Sequence, residues 1–209
     1  AVQEPETALD LVVLEQQRLA GYLPRLLEVA REATAGGSLE RQRAVIAGLG
    51  TAIDDFLDHL GEANLTHSAY ERLNHVLNVE RILDGLAETL SELVRAVGEA
   101  GGSPATRRLT GSVVEGLDAV LLILVDAMGP DGAEDRMLLR QMGGDRSALM
   151  RRLREEYLAS DAALAAADKM SILTITNLTE RASWLINRLI DTLPVDEGGS
   201  RAAMEAEGA

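Results

Sequence analysis

The sequence predicts an all-α protein, and three observations carry that reading. Apolar residues recur at alternating spacings of three and four over long segments, the period of a helix that buries one face. No segment sustains the strict alternation of a half-buried strand. Aromatic residues make up only 2% of the chain, too few for β-rich folds, which draw on aromatic and β-branched side chains. With 209 residues, 46% hydrophobic and 26% charged, the chain can bury a substantial core.

Breaks at Gly36-Gly37, 61–64, 101–104, 129–132 and after Leu193-Pro194 divide the chain into six predicted helices. They run over 6–35, 38–61, 65–99, 104–128, 132–159 and 163–193. In the first, Leu9, Val12, Leu19, Leu23, Leu26 and Ala30 form the apolar seam, with Gln16 the one polar intruder. Pro24 lies inside it and is expected to kink it, since proline removes a backbone donor and crowds the preceding turn. Ser38 with Arg41 marks the second start, and Ser103-Pro104 the fourth: a hydroxyl cap followed by proline in the first turn. The third helix carries an uninterrupted seam of Val76, Val79, Leu83, Leu86, Leu90, Leu93 and Val97. Gly143-Gly144 in the fifth reads as a kink or local turn. The sixth seam is Ile172, Ile175, Thr179, Ala182, Ile186, Leu189 and Leu193. The tail 195–209 has no seam to bury and is expected to be disordered.

The halves echo each other. Leu77-Asn78-Val79-Glu80-Arg81 precedes Asn177-Leu178-Thr179-Glu180-Arg181 by 100 residues, and Ile53-Asp54-Asp55-Phe56-Leu57 precedes Arg154-Glu155-Glu156-Tyr157-Leu158 by 101. The expected organisation is therefore a two-repeat six-helix bundle, residues 1–102 and 103–194 each forming a three-helix unit.

Charge and composition exclude several function classes. A net charge of −14 repels nucleic-acid backbones and anionic headgroups. Without cysteine, disulfides, thiolate nucleophiles and iron–sulfur ligation are impossible. The longest apolar run, 119–125, is far short of the ~20 residues that span a bilayer. The single lysine, Lys169, follows Asp168, so there is no Walker-type phosphate loop. No nucleophile elbow or H-E-x-x-H motif occurs. None of His59, His67 and His75 stands three residues after a glutamate, which removes the ligand pattern of di-iron bundles. Glu71 and His75 share a helix face, as many solvated pairs do.

One constellation remains. In Glu80-Arg81-Ile82-Leu83-Asp84, the two carboxylates stack one turn apart and are candidates to chelate a hard cation. The seam puts Glu80 at the flank of the core and Asp84 farther out; the plain alternative is a solvated acidic face. Asp54, Asp55 and Asp58 add carboxylates on the preceding helix. Counting from a turn near Asn64 leaves Asp54 and Glu80 about 9 Å out of step along the bundle, which suits several surface ions better than one bridging ion.

A Glu-Arg-x-x-Asp run in the third helix of a duplicated three-helix unit resembles the PhoU family of phosphate-transport regulators. Pro5-Glu6-Thr7-Ala8-Leu9, then Glu15 and Leu26-Leu27, resembles the opening of the PhoU-like domain that follows the membrane part of bacterial sodium/phosphate cotransporters. Asp145-Arg146, Arg154, Tyr157-Leu158 and Glu180-Arg181 through Trp184 are similar to that domain's second half. The resemblance implies a regulatory or interaction domain on the cytoplasmic face of the cell membrane. Its partner would be a membrane-embedded transporter part, in the same or another chain. It also implies a divalent or ferric ion cluster held by Glu80 and Asp84, with Asp54 from the second helix. The match is partial: Trp184 stands where the second repeat's aspartate would be, and Gly50 where an acid would precede Asp54. A stand-alone regulator of a phosphate ABC transporter and its sensor kinase is the alternative, and a ligand-free scaffold a third. An enzyme built on the same carboxylates would need a base in a pocket, and no motif supplies one, so none is expected. A homodimer is expected only if an apolar face is left over. The chain opens with Ala1 rather than Met, in keeping with a piece of a longer membrane protein.

Overall fold

The computed structural model describes residues 5–31, 36–100, 102–143, 146–159 and 165–194. Eight helices occupy them: α1 (Pro5–Ala20), α2 (Leu23–Arg31), α3 (Gly36–Gly61), α4 (His67–Glu99), α5 (Pro104–Ala127), α6 (Ala133–Gly143), α7 (Arg146–Ala159) and α8 (Ala166–Thr192). No strand occurs among the described residues. The all-α prediction holds. The tail 195–209 lies outside the described residues.

Two predicted helices are each a pair. The first stops at Ala20, turns through Gly21 and Tyr22, and restarts at Leu23, so Pro24 lies in the first turn of α2. A helix's first amides have no intrahelical acceptor, so proline sacrifices nothing there. The amides of Gly21 and Tyr22 donate to the carbonyls of Gln17 (3.1 Å) and Leu19 (2.9 Å), closing α1. The fifth predicted helix is described in two parts, α6 to Gly143 and α7 from Arg146, with 144–145 outside the described residues. Of the two predicted helix starts, the one at Ser103 is found and the one at Ser38 is not. The Ser103 hydroxyl accepts from the Thr106 amide at 3.1 Å, and Thr66 caps α4 through the Ala69 amide at 3.2 Å. α3 starts at Gly36, two residues before Ser38.

The most extensive helix pairing joins α4 to α8, the long last helices of the two halves. α1, α2 and α3 pack on the first half's side of this pair, and α5, α6 and α7 on the other, with α2 also meeting α5. The seam residues Leu83, Leu86, Leu90 and Leu93 of α4 and Ile172, Ile175, Ile186 and Leu189 of α8 are completely buried, within one continuous core. A small residue stands at their contact: a Cβ on Gly85 of α4 would lie 3.8 Å from the methyls of Leu185 of α8. The buried hydroxyls of Thr89, Ser91 and Thr179 donate to carbonyls one turn back, so each of them has its acceptor within its own helix.

The α5–α6 turn is set by space. Arg136 is buried and its Nη1 donates to the carbonyls of Ala127 (2.7 Å) and Gly129 (3.3 Å), capping the C-terminal end of α5. A Cβ on Gly132 would stand 2.3 Å from the Asp126 carbonyl oxygen and 2.6 Å from that of Ala127. Gly132→Ala is therefore expected to destabilise the fold by about 1–3 kcal/mol. On α5, a methyl at Gly111 or Gly116 would meet nothing within 4 Å, so alanine at either should stabilise by about 0.5–1 kcal/mol. Urea midpoints of the three variants test the contrast; equal midpoints would refute the steric account of the turn.

Candidate functional site

Glu80 is not on a solvated face. It is 1% exposed, enclosed where α1, α3 and α4 meet. Its partner is the polar intruder of the first seam. Gln16, itself buried, donates through Nε2 to Glu80 Oε2 at 2.8 Å and to the Val76 carbonyl at 2.9 Å. The other oxygen, Oε1, is buried without a hydrogen-bond partner, an expensive arrangement for a charged group.

The residue opposite Oε1 is Gly50 of α3. A Cβ there would lie 3.7 Å from Glu80 Oε1 and 3.2 Å from Asp84 Oδ1. Gly50 thus leaves an open notch through which two carboxylates of α4 face α3. Asp84 and Asp54 both reach solvent. Burial pushes the Glu80 pKa up to about 7, and the charges of Asp84 and Asp54 add to the rise, while the Gln16 hydrogen bond opposes it. Asp84 is also raised, first by partial burial and then by Asp54.

Depressions flank this group on both sides. Asp84 opens on one of about 250 Å³, lined also by Arg43, Ile46 and Glu88. Gln16 lines another, of about 530 Å³, walled by Val76, Val79, Met128 and Leu193, with Arg72 and His75 at polar positions. Arg72 ties this region together by pairing with Glu6 and Asp10 of α1.

The structure therefore brings Glu80 and Asp84 to one notch, with Asp54 close enough to act on both electrostatically. Among the described residues, no group of three or more histidines and carboxylates is arranged to hold a metal ion. The second half is different. Glu180, which follows Glu80 by 100 residues, pairs with Arg154 at 3.1 Å, and Arg154 Nε also donates to Thr176 at 3.0 Å. Trp184 is exposed, with the Arg188 guanidinium 5.4 Å from its ring centre. Glu71 pairs with His67 at 3.3 Å rather than with His75.

Sequence reasoning passed over two residues of the site. Gln16 was visible as the one polar residue in an apolar seam. Gly50 was noted only as a missing ligand, and nothing in the sequence shows that it faces α4. No family model, curated protein or solved structure matches the chain. No helix among the described residues is long and apolar enough to cross a membrane.

The raised Glu80 pKa fixes the sign of a pH dependence. Folded Glu80 holds its proton to about pH 7, whereas its ordinary value is 4.5. Across that window the folded state binds the extra proton, so stability falls as pH rises. The loss should approach roughly 3 kcal/mol between pH 4.5 and 8. Glu80→Gln preserves an acceptor for Gln16 and removes the charge. It should flatten most of that slope and be the more stable protein at pH 8. Urea unfolding of both proteins from pH 5 to 8 is the check, and parallel curves would show that Glu80 ionises freely in the fold.

Proposed function

We propose that this chain is a PhoU-like regulatory and interaction domain that controls sodium-dependent phosphate uptake. In this reading it acts from the cytoplasmic side of the membrane and docks on a membrane-embedded transporter part. The observation that carries the proposal is the Glu80–Asp84 notch. A buried carboxylate with one unpartnered oxygen and a pKa near neutrality sits at the junction of three helices. Its charge state therefore bears directly on how those helices pack. A domain built this way converts occupancy of a small site into a change of helix packing, which is what a regulator of a transporter requires.

The donor set suits a hard cation, since every available ligand is oxygen. Glu80 through Oε1 and Asp84 through Oδ1 would hold a divalent or ferric ion across the Gly50 notch. Asp54 would lower the local potential, and water would complete the coordination. Bound there, the ion would supply the positive charge that the ionised Glu80 lacks. The duplicated three-helix plan belongs to the same reading: each half places its long last helix in the central pair. Arg154 already neutralises Glu180, so the second half would need no ion.

Two measurements test the proposal. Calorimetric titration with Mg²⁺, Mn²⁺, Zn²⁺ and Fe³⁺ at pH 8 should show binding by the wild type, and about tenfold or greater loss in Glu80→Gln/Asp84→Asn. In cells that depend on this protein, its deletion should deregulate uptake of radiolabelled phosphate. The wild-type chain should restore control, and the double variant should not. Unchanged uptake on deletion would end the transporter assignment, and equal titrations of the two proteins would end the assignment of the ion to this notch.

A further inference from the structure

The notch at Gly50 and the depression of about 250 Å³ between α3 and α4 share Asp84. To the depression α4 supplies Asp84, Ala87 and Glu88, and α3 supplies Arg43, Ile46 and Ala47. Asp84 and Glu88 are four residues apart, which puts them on one face of α4 with a rise of about 6 Å between them. Both reach solvent. One turn further back is Glu80, 1% exposed, whose Oε1 is buried without a hydrogen-bond partner and faces Gly50. The carboxylates at 80, 84 and 88 therefore form a ladder along the side of α4 that looks at α3.

The charges of this depression do not cancel. Arg43 is the one base among its described lining residues, and its guanidinium pairs with Glu40 of its own helix at 3.3 Å. Asp84 and Glu88 have no ion-pair partner among the described residues. The rest of the lining is largely aliphatic: Ile46 and Ala47 on one side and Ala87 on the other. The Ser91 hydroxyl, at the far end, is already committed to the Ala87 carbonyl at 2.7 Å. The volume lies below the ~300–1,000 Å³ of sites that enclose drug-sized ligands and exceeds what a bare ion fills. It suits a short flexible chain with positive charge at both ends.

We infer that the α3–α4 depression is a binding site for a linear aliphatic diamine, with one ammonium group held by Asp84 at the Gly50 notch, the other by Glu88, and the methylene chain lying over Ile46, Ala47 and Ala87. A four-carbon spacer sets its two ammonium groups roughly 6 Å apart, the rise of one helical turn. An ammonium donates three hydrogen bonds, and the inner one is on the side of the Glu80 oxygen that has no partner. The lining selects among occupants. Two unpaired carboxylates repel an anion. A monoamine leaves one of them unanswered, and a metal ion at the notch leaves Glu88 and the aliphatic wall unused. The inference rests on reading the notch as a cation site, and it names an organic class of cation for the outer side of that site.

The test is calorimetric titration of the whole chain with 1,4-diaminobutane and with 1-aminobutane at low salt. The diamine should bind at least about tenfold more tightly than the monoamine, with an affinity that falls as salt rises. Glu88→Gln should weaken the diamine by about tenfold and leave ion binding at the notch unchanged. Ala47→Leu, at an exposed position, should fill the aliphatic wall and weaken the diamine as well. Asp131→Asn removes one exposed charge from the α5–α6 turn and should leave the affinity unchanged. Urea midpoints of these surface variants should match the wild type, so that lost binding is not lost folding. Equal binding of the two amines, or full diamine binding by Glu88→Gln, would overturn the inference. An equal loss in Asp131→Asn would overturn it in favour of diffuse attraction to an acidic chain. A Lys-x-x-x-Lys peptide that binds more tightly than the diamine, and is lost in Glu88→Gln, would overturn the small amine in favour of lysines on a protein. The two proposals fail separately. Ion binding without diamine binding refutes this inference and leaves the phosphate-uptake result standing, and diamine binding without ion binding leaves this site standing.

Discussion

Everything in this molecule is arranged around the pairing of α4 with α8. Each helix gives a full apolar stripe to the other, with glycine and small hydroxyl residues at the contact. The remaining helices have to cover what these two leave exposed. α4 is consequently enclosed by α8 on one side and by α1, α2 and α3 on the others. Glu80, adjacent in sequence to the seam residue Val79, falls where α1 and α3 close over α4 and is buried instead of lying at the flank, whereas Asp84, one position after Leu83, reaches solvent. The cost of enclosing the Glu80 carboxylate falls on whatever neighbour is available, and the available neighbour is a neutral amide.

The two halves meet the same problem with opposite solutions. In the second, a full positive charge from α7 reaches the glutamate of α8, and an arginine–carboxylate pair forms that is partly open to solvent. That pair sets an opposite charge directly against the carboxylate. In the first, Gln16 satisfies one oxygen and leaves the other facing a glycine. Burial raises the Glu80 pKa to about 7, and the neutral Gln16 donor opposes that rise without cancelling it. The asymmetry lies in burial as well as in the partners: Glu80 is enclosed with Gln16, whereas Glu180 is partly open to solvent and pairs with Arg154.

Much of the fold was legible because seams are a property of the helix period alone. Leu9 through Leu26, Val76 through Leu93 and Ile172 through Leu189 are buried where the three-four spacing puts them. Boundaries were less legible where breakers are ambiguous. Pro24 is compatible with a kink in one helix or with the first turn of a new one, and only the Gly21–Tyr22 turn decides between them. The same holds for Gly143, where a Cβ would meet the Asn187 side chain at 2.9 Å, a tertiary fact that no local pattern encodes. The site was half visible. The spacing of Glu80 and Asp84 put both carboxylates on α4, but the identity of their neighbours depends on which residues of α1 and α3 come opposite. Gln16 was marked by its hydrophobic surroundings; Gly50 was unmarked, since the lack of a side chain acts only through what it leaves room for.

The notch and an apolar groove between α1 and α3 share their walls. Leu49 and Gly50 are consecutive on α3, and one residue turns a helix face by about 100°, so the first lines the groove with α1 while the second faces the carboxylates of α4. On α1, Val12 and Gln16 are one turn apart; Val12 lines the groove and Gln16 holds Glu80. The two helices that line the groove are therefore the two that close over the buried acid. Ionising Glu80 would place an uncompensated charge among those contacts, beside an α4–α8 face of buried leucine and isoleucine. The first half thus places an unsatisfied polar group at the same helix junction that carries its exposed apolar surface.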